Sequence, residues 1–348
     1  MATQIVEIPV PAQAQPPAVF LTDIAFGMKM TQALYVAAKL GIADLLSAGP
    51  RHVSQLAAST ETSERSLYRV LRSLAAVGIF RETDPRVFEL TPYAEALRSD
   101  VPNTFRNAAI FMGEDWLWNV MGQMLYSVKT GKSAWPRVHG ADAFDYLADN
   151  SEQHEIFNRA MTDMSVSQSP AVVEAYDFSQ FTSIVDIAGG QGYLLSQILK
   201  ATPGLRGVLF DVEPVIAGAG TLLEKEGVAD RVETIAGNFF ESVPSGADAY
   251  VMKYIIHDWD DEQSTTILTN IARAMREDAK LLIVEMVVPE GNEPHLSKVM
   301  DLGMLVLPGG VERTRPEYQT LLAGAGLRLQ RIIPTQTPLS IIEAVKAR

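Results

Sequence analysis

The chain is 348 residues long, with 47% apolar and 20% charged residues, the composition of an ordinary globular protein. A formal charge of −13 leaves no global basic field for a polyanion and argues against a nucleic-acid partner, while the absence of cysteine excludes a disulfide framework, a thiolate nucleophile and Cys-ligated zinc. No uninterrupted run of about 18 apolar residues occurs, so no membrane span is predicted.

The opening "MATQIVEIPVPAQAQPP" contains a Glu and several Pro and lacks the basic head and apolar stretch of a signal peptide. Residues 1–18 therefore read as a disordered tail of a cytoplasmic protein. From residue 19 to 106 the signals are helical: "ALYVAAKLGIADLL" has apolar side chains at helical spacing, with Gly41 its weak spot. A short helix, a turn and a second helix follow, the latter opened by Thr62 or Ser63 and closed by Gly78. Two extended pieces, "IFRE" and "VFELT", flank the turn "TDPR". Together these predict a winged helix. Arg65, Arg69 and Arg72 share one side of its second helix, as in a DNA reader, but the acidic chain favours solvated charges opposite a packed face of Leu67, Val70, Leu71 and Leu74.

Residues 107–176 read as further helices, dense in Met and aromatic residues from Phe111 to Met164, which suits either helix core or a pocket for a flat apolar ligand. From about residue 177 to 348 the rhythm becomes strand, loop, helix. "SIVDIA", "GVLFD", "RVETIA", "AYVMKYII" and "KLLIVE" are apolar runs separated by helical segments, which predicts a doubly wound, mostly parallel α/β sheet with ligands at the carboxyl ends of its strands. Gly189 to Gly192, Asp211, Asn238, His257 and Glu285 all fall at such ends.

The glycine turn "GGQG" is neither a dinucleotide fingerprint, since Leu195 stands where the third small residue belongs, nor a P-loop, since no Lys-Ser or Lys-Thr follows. It can bring backbone close to a ligand that has no pyrophosphate, and Asp211 can accept hydrogen bonds from ribose hydroxyls. Ribose without pyrophosphate, beside an aromatic-rich region, suggests S-adenosylmethionine.

The ordered set "VDIAGGQG", "LFDVEPVI", "AGNFFESVPSGADAYVMKYIIHDWDDE", "IVEMVVPE" and "LPGGVERTRPEYQTLLAGAGL" resembles the class I S-adenosylmethionine-dependent O-methyltransferases of the plant caffeic acid and hydroxyindole O-methyltransferase family and their bacterial relatives. The resemblance spans essentially the whole chain and implies a Rossmann-like methyltransferase domain preceded by a winged-helix dimerisation domain, hence a homodimer. It implies that His257 is the general base for a substrate hydroxyl, flanked and oriented by Glu285 and Glu312. It assigns the donor, and its product S-adenosylhomocysteine, to Ser165, Gly189, Gly190, Asp211, Asn238, Phe239 and Lys253. A small hydroxylated acceptor, aromatic or polyketide-like, would be lined by Phe157, Met161, Met164 and Asp258. The family usually has Gly at Ala188 and Asp at Asn238, departures expected to weaken donor binding without abolishing it.

His suits the chemistry because its ordinary pKa is near 6.5. The acids of "DWDDE" read as complements to a helix dipole and not as a metal site. His52, His139, His154 and His295 have no such company and read as surface or core residues. Two other readings stay open: a relative using the same cofactor for hydroxylation or decarboxylation, and a ligand-sensing winged-helix regulator.

Overall fold

The structure, a computed structural model, describes residues 16–347, so most of the expected tail lies outside the described residues. The chain divides into two compact units.

Among the described residues, the first unit spans 16–122 and 144–167. Helix α1 (Pro17–Lys39) has Pro at its N-terminus, where a missing N–H is harmless. The helix expected to run on through residue 46 breaks at Gly41, whose φ of +64° starts the short α2 (Ile42–Leu45) instead. Strand β1 (Arg51–His52), α3 (Val53–Ser59), α4 (Glu64–Ala76), β2 (Phe80–Asp84) and β3 (Val87–Leu90) form the winged helix, its antiparallel strands in the order β1-β3-β2. The Ser63 hydroxyl accepts from Ser66 N and caps α4, and Gly78 follows its end with φ +82°. Leu67, Leu71 and Leu74 of α4 are buried with Leu56, Phe80 and Phe88, while Arg65, Arg69 and Arg72 are exposed. Helices α5 (Pro92–Glu95), α6 (Arg106–Gly113) and α7 (Asp115–Met121) follow.

Next come α8 (Met124–Thr130) and α9 (Trp135–His139), which belong to the second unit, then α10 (Ala143–Asp149) and the long α11 (Ser151–Ala175). The division falls inside α11, after Ser167. No described helix is long and apolar enough to cross a membrane.

The second unit is built on a seven-stranded sheet in the order β6-β5-β4-β7-β8-β10-β9. Its elements are β4 (Ser183–Ile187), α12 (Tyr193–Ala201), β5 (Arg206–Asp211), α13 (Glu213–Ile216), α14 (Ala219–Lys225), β6 (Val232–Ala236), β7 (Ala249–Lys253), α15 (Asp261–Ala274), β8 (Lys280–Met286), α16 (Leu296–Val306), α17 (Arg315–Gly324), β9 (Leu327–Pro334) and β10 (Leu339–Lys346). The runs read as strands from the sequence are β4 to β8, paired in parallel. Both faces are covered, which is why the strands are apolar at successive positions. Tyr250 and Met252 point to a cluster with Ile267, Ile271 and Tyr318, and Val251 points to one with Leu194, Ile198 and Leu282. Strands β9 and β10 pair antiparallel with each other, and β10 joins the edge of β8.

Candidate active site

The crevice lies at the carboxyl ends of β4, β5, β7 and β8, where the strand order reverses. The turn after β4 uses left-handed backbone three times, at Ala188 (φ +52°), Gly190 (φ +61°) and Gly192 (φ +85°). Ala188 therefore stands where glycine is the unstrained residue, so the departure from the family pattern burdens backbone conformation. Gly190 has open space where a Cβ would stand, and its N–H donates to Asp211 Oδ2 at 2.9 Å. Gly189 has none: a Cβ there would stand 2.6 Å from the Asp186 carboxyl. Close packing of α12 on the sheet, assigned in fingerprints to a third small residue, is supplied instead by Gly207 on β5, where a Cβ would come within 2.8 Å of Leu195.

Asp211 closes β5 and its Oδ1 accepts from Val212 N at 2.7 Å; burial pushes this carboxyl up, opposed by its two backbone bonds. Asn238 follows β6, and its Oδ1 accepts from Phe240 N at 3.0 Å, so one lone pair of the oxygen assigned to adenine already serves the loop. Phe239 and Phe240 pack edge-on against Trp259, and Asn270 of α15 holds both their carbonyls. Lys253 is the last residue of β7. Burial pushes its ammonium down, with Asp186 holding it up, and burial pushes Asp186 up against that attraction.

Strand β7 stops at Lys253, three residues short of the apolar run. Tyr254 takes φ +57° and a 3-10 turn at Ile256–Asp258 swings His257 into the crevice. The imidazole is buried, with Nδ1 2.7 Å from Glu312 Oε1 and Nε2 3.6 Å from Asp258 Oδ1. Glu285, expected to flank the ring, acts on the backbone. Its Oε1 accepts from Ile255 N and His257 N at 3.1 and 3.2 Å, and its Oε2 accepts from the buried Tyr318 hydroxyl. Burial lowers the His257 pKa, but Asp258, the bond to Glu312 and the charge of Glu285 outweigh it and raise it to about 9. Asp258 is pushed up to about 6 by burial, with His257 pulling the other way.

Sequence reasoning gave no role to Arg313 or Gly310. The Arg313 guanidinium is buried and donates to Ile256 O, Trp259 O, Ser264 Oγ and Asp261 Oδ1, tying the turn to α15. Gly310 packs so close that a Cβ would stand 2.0 Å from His257 O. Of the acids in "DWDDE", Asp260 caps α15 through Gln263 N at 2.8 Å and Asp261 pairs with Arg313. Ser165, Phe157, Met161 and Met164 lie on the part of α11 that belongs to the first unit, where Phe157 packs edge-on against Phe111.

A glycine turn answered by an acid on the next parallel strand, beside a histidine held by a buried carboxylate, defines the second unit as a class I methyltransferase domain. Residues 119–328 match the O-methyltransferase domain family and residues 22–100 the O-methyltransferase dimerisation domain, so the chain belongs to the O-methyltransferase family. It is 45% identical to the phenazine O-methyltransferase PhzM of Lysobacter antibioticus, over 96% of this chain and 97% of that one. It superimposes on the crystal structure of LaPhzM with a TM-score of 0.92 at 44% identity, covering 95% of this chain and 100% of that one. At 30% identity it also matches NcsB1, an O-methyltransferase from neocarzinostatin biosynthesis solved with S-adenosylmethionine and 2-hydroxy-5-methyl naphthoic acid, with a TM-score of 0.81 over 96% and 100% of the chains. The chain is an O-methyltransferase.

Proposed function

We propose that this enzyme takes its methyl group from S-adenosylmethionine and places it on a hydroxyl of an aromatic or polyketide-like small molecule, with His257 as general base. The observation that carries the reading is the buried His257 Nδ1 to Glu312 contact at 2.7 Å, which leaves Nε2 to face the acceptor. The residues around the glycine turn fit the donor: the open side of Gly190, the adjoining acid Asp211 and the buried acid beneath Gly189 suit a nucleoside without pyrophosphate. When bound, the sulfonium supplies a methyl group already activated for attack, its sulfur keeping the bonding pair and leaving as neutral S-adenosylhomocysteine.

Gly189 and Gly190 give close backbone approach, Asp211 accepts from ribose, Asn238 and Phe239 meet adenine, and Lys253 and Ser165 complete the donor's contacts. His257 Nε2 takes the acceptor's proton as its oxygen forms the new bond to carbon. Glu312 holds the ring in the tautomer with the proton on Nδ1 and stabilises the imidazolium that results. Glu285 fixes the height of the ring through the backbone. The family roles of Phe157, Met161, Met164 and Asp258 as acceptor contacts belong to the same proposal, as does assembly through the dimerisation domain into a homodimer.

The test is His257→Ala with calorimetry of S-adenosylmethionine binding and turnover on a hydroxylated aromatic such as a phenazinol. Donor binding should persist and turnover fall by about 10² to 10⁴. Unchanged turnover would remove His257 from the base position.

A further inference from the structure

Tyr254 has a backbone that its side chain does not favour. A φ of +57° is uncommon for any residue but glycine and asparagine, and for a bulky aromatic it is a true outlier that the surrounding fold must enforce. Gly or Asn would make the same turn between β7 and the 3-10 segment without strain. What Tyr adds is a ring turned back over the following residues. Its centroid lies 5.1 Å from that of His257 with the planes 29° apart, and the Lys253 ammonium stands 5.0 Å from the same centroid. The backbone N–H donates to Val284 O on β8 at 3.2 Å, which ties the residue that carries the ring to the neighbouring strand.

We propose that Tyr254 is a positioning residue for methyl transfer: its ring face holds the His257 imidazole in plane and stabilises the positive charge that appears there when the acceptor's proton arrives. This deepens the reading of His257 as the base and rests on it. During the reaction positive charge disappears from the donor's sulfur and appears on imidazole, and an aromatic face attracts cations through its quadrupole. Tyr254 thus lies beside the donor-side Lys253 and against the ring that gains the charge. Burial pushes its phenol up, the nearby Gln168 side chain pulls it down, and Glu312 and Glu285 add to the rise, so the hydroxyl stays neutral and the ring keeps its face.

The other groups around His257 are Asp258 in the turn, Glu285 on β8, Glu312 before α17, Tyr318 on α17, Arg313 on Ile256 O, and Asp301 of α16, which accepts from Glu312 N. All three carboxylates in direct electrostatic range hold the imidazolium in place, so the ring contributes a separable part of a pKa already raised by charge.

The experiment compares pH profiles of kcat/KM for the full-length enzyme and for Tyr254→Phe, Tyr254→Leu and Tyr254→Asn, with thermal unfolding and calorimetric S-adenosylmethionine binding as fold controls. The acid limb should stay at the wild-type pH in the Phe variant, which keeps the ring, and move down by roughly half a unit to one and a half units in Leu and Asn. The Asn variant, relieved of strain but lacking the packed ring, should still fold, bind S-adenosylmethionine and turn over about tenfold more slowly. An unmoved limb in Leu and Asn, or a limb displaced as far in Phe as in Leu, overturns the proposal. His257→Ala separates the two readings: an acid limb that survives there sinks the base assignment, whereas a limb lost there but unmoved in Tyr254→Leu sinks only the role of Tyr254.

Discussion

His257 is surrounded by carboxylates at three angles, so the same groups that make it a strong base also keep it protonated. With a pKa of about 9, raised above the ordinary 6.5, the free enzyme carries an imidazolium at neutral pH. A general base must be deprotonated to act, so kcat/KM should rise with pH, about tenfold per unit, and level off near 9. Replacing Glu312 by Gln removes the charge behind Nδ1 and leaves a neutral partner 2.7 Å from the ring. The acid limb of kcat/KM should then fall toward the ordinary histidine range, and the plateau rate at high pH should drop because the forming imidazolium loses its counter-charge. Rates between pH 6 and 10 check both; a limb that stays near 9 in Glu312→Gln would mean that Asp258 and Glu285 set it. The residues of this network stood in quoted motifs and were legible by resemblance. The route taken by Glu285 was not, because a carboxylate's choice between ring and backbone depends on where a strand ends.

The strand end is itself decided by neighbouring elements. Periodicity extends β7 through "YII", yet the strand ends at Lys253, and the turn that follows is held by Arg313 from the segment before α17 and pressed by Gly310. Arg313 was in view in "GGVERT" beside Glu312. Nothing in its spacing reveals that it reaches Ile256, Trp259 and Asp261, since these bonds join residues more than fifty positions apart. Gly310→Ala tests how tightly the turn is seated. A Cβ would meet His257 O at 2.0 Å and Asp258 C at 2.5 Å, both backbone atoms that cannot rotate aside. The turn must shift, and a displacement near 1 Å is expected to lower kcat by about 10². Calorimetric donor binding should stay near wild type, because the glycine turn after β4 is untouched. Full kcat in the Gly310→Ala enzyme would show that the turn yields without consequence. Strands β9 and β10 escaped the sequence reading although "RLQRIIP" and "SIIEAV" are rich in β-branched residues, because no βα rhythm continues beyond residue 326.

Across the whole molecule the dimerisation domain leaves one surface that water does not suit. The first half of α1 exposes Val19, Leu21, Ile24, Phe26 and Met28, apolar side chains distributed around the helix with no single packed stripe. A helix apolar on all sides is stable only when it is covered on all sides. The match of residues 22–100 to the O-methyltransferase dimerisation domain makes a second copy of the chain the expected cover. Changing Ile24 and Phe26 together to Glu should convert a dimer to a monomer at micromolar concentration, read by light scattering after gel filtration. The melting temperature should also become independent of protein concentration, since association adds stability only by mass action. If the wild-type chain already runs as a monomer, α1 is covered by something other than its own copy. If the double variant remains dimeric, the contact lies elsewhere in the domain. The same surface shows why the sequence, which reads as a helix running on past Gly41, does not separate the packed residues of α1 from its exposed ones: both are written in the same apolar residues, and only exposure separates them.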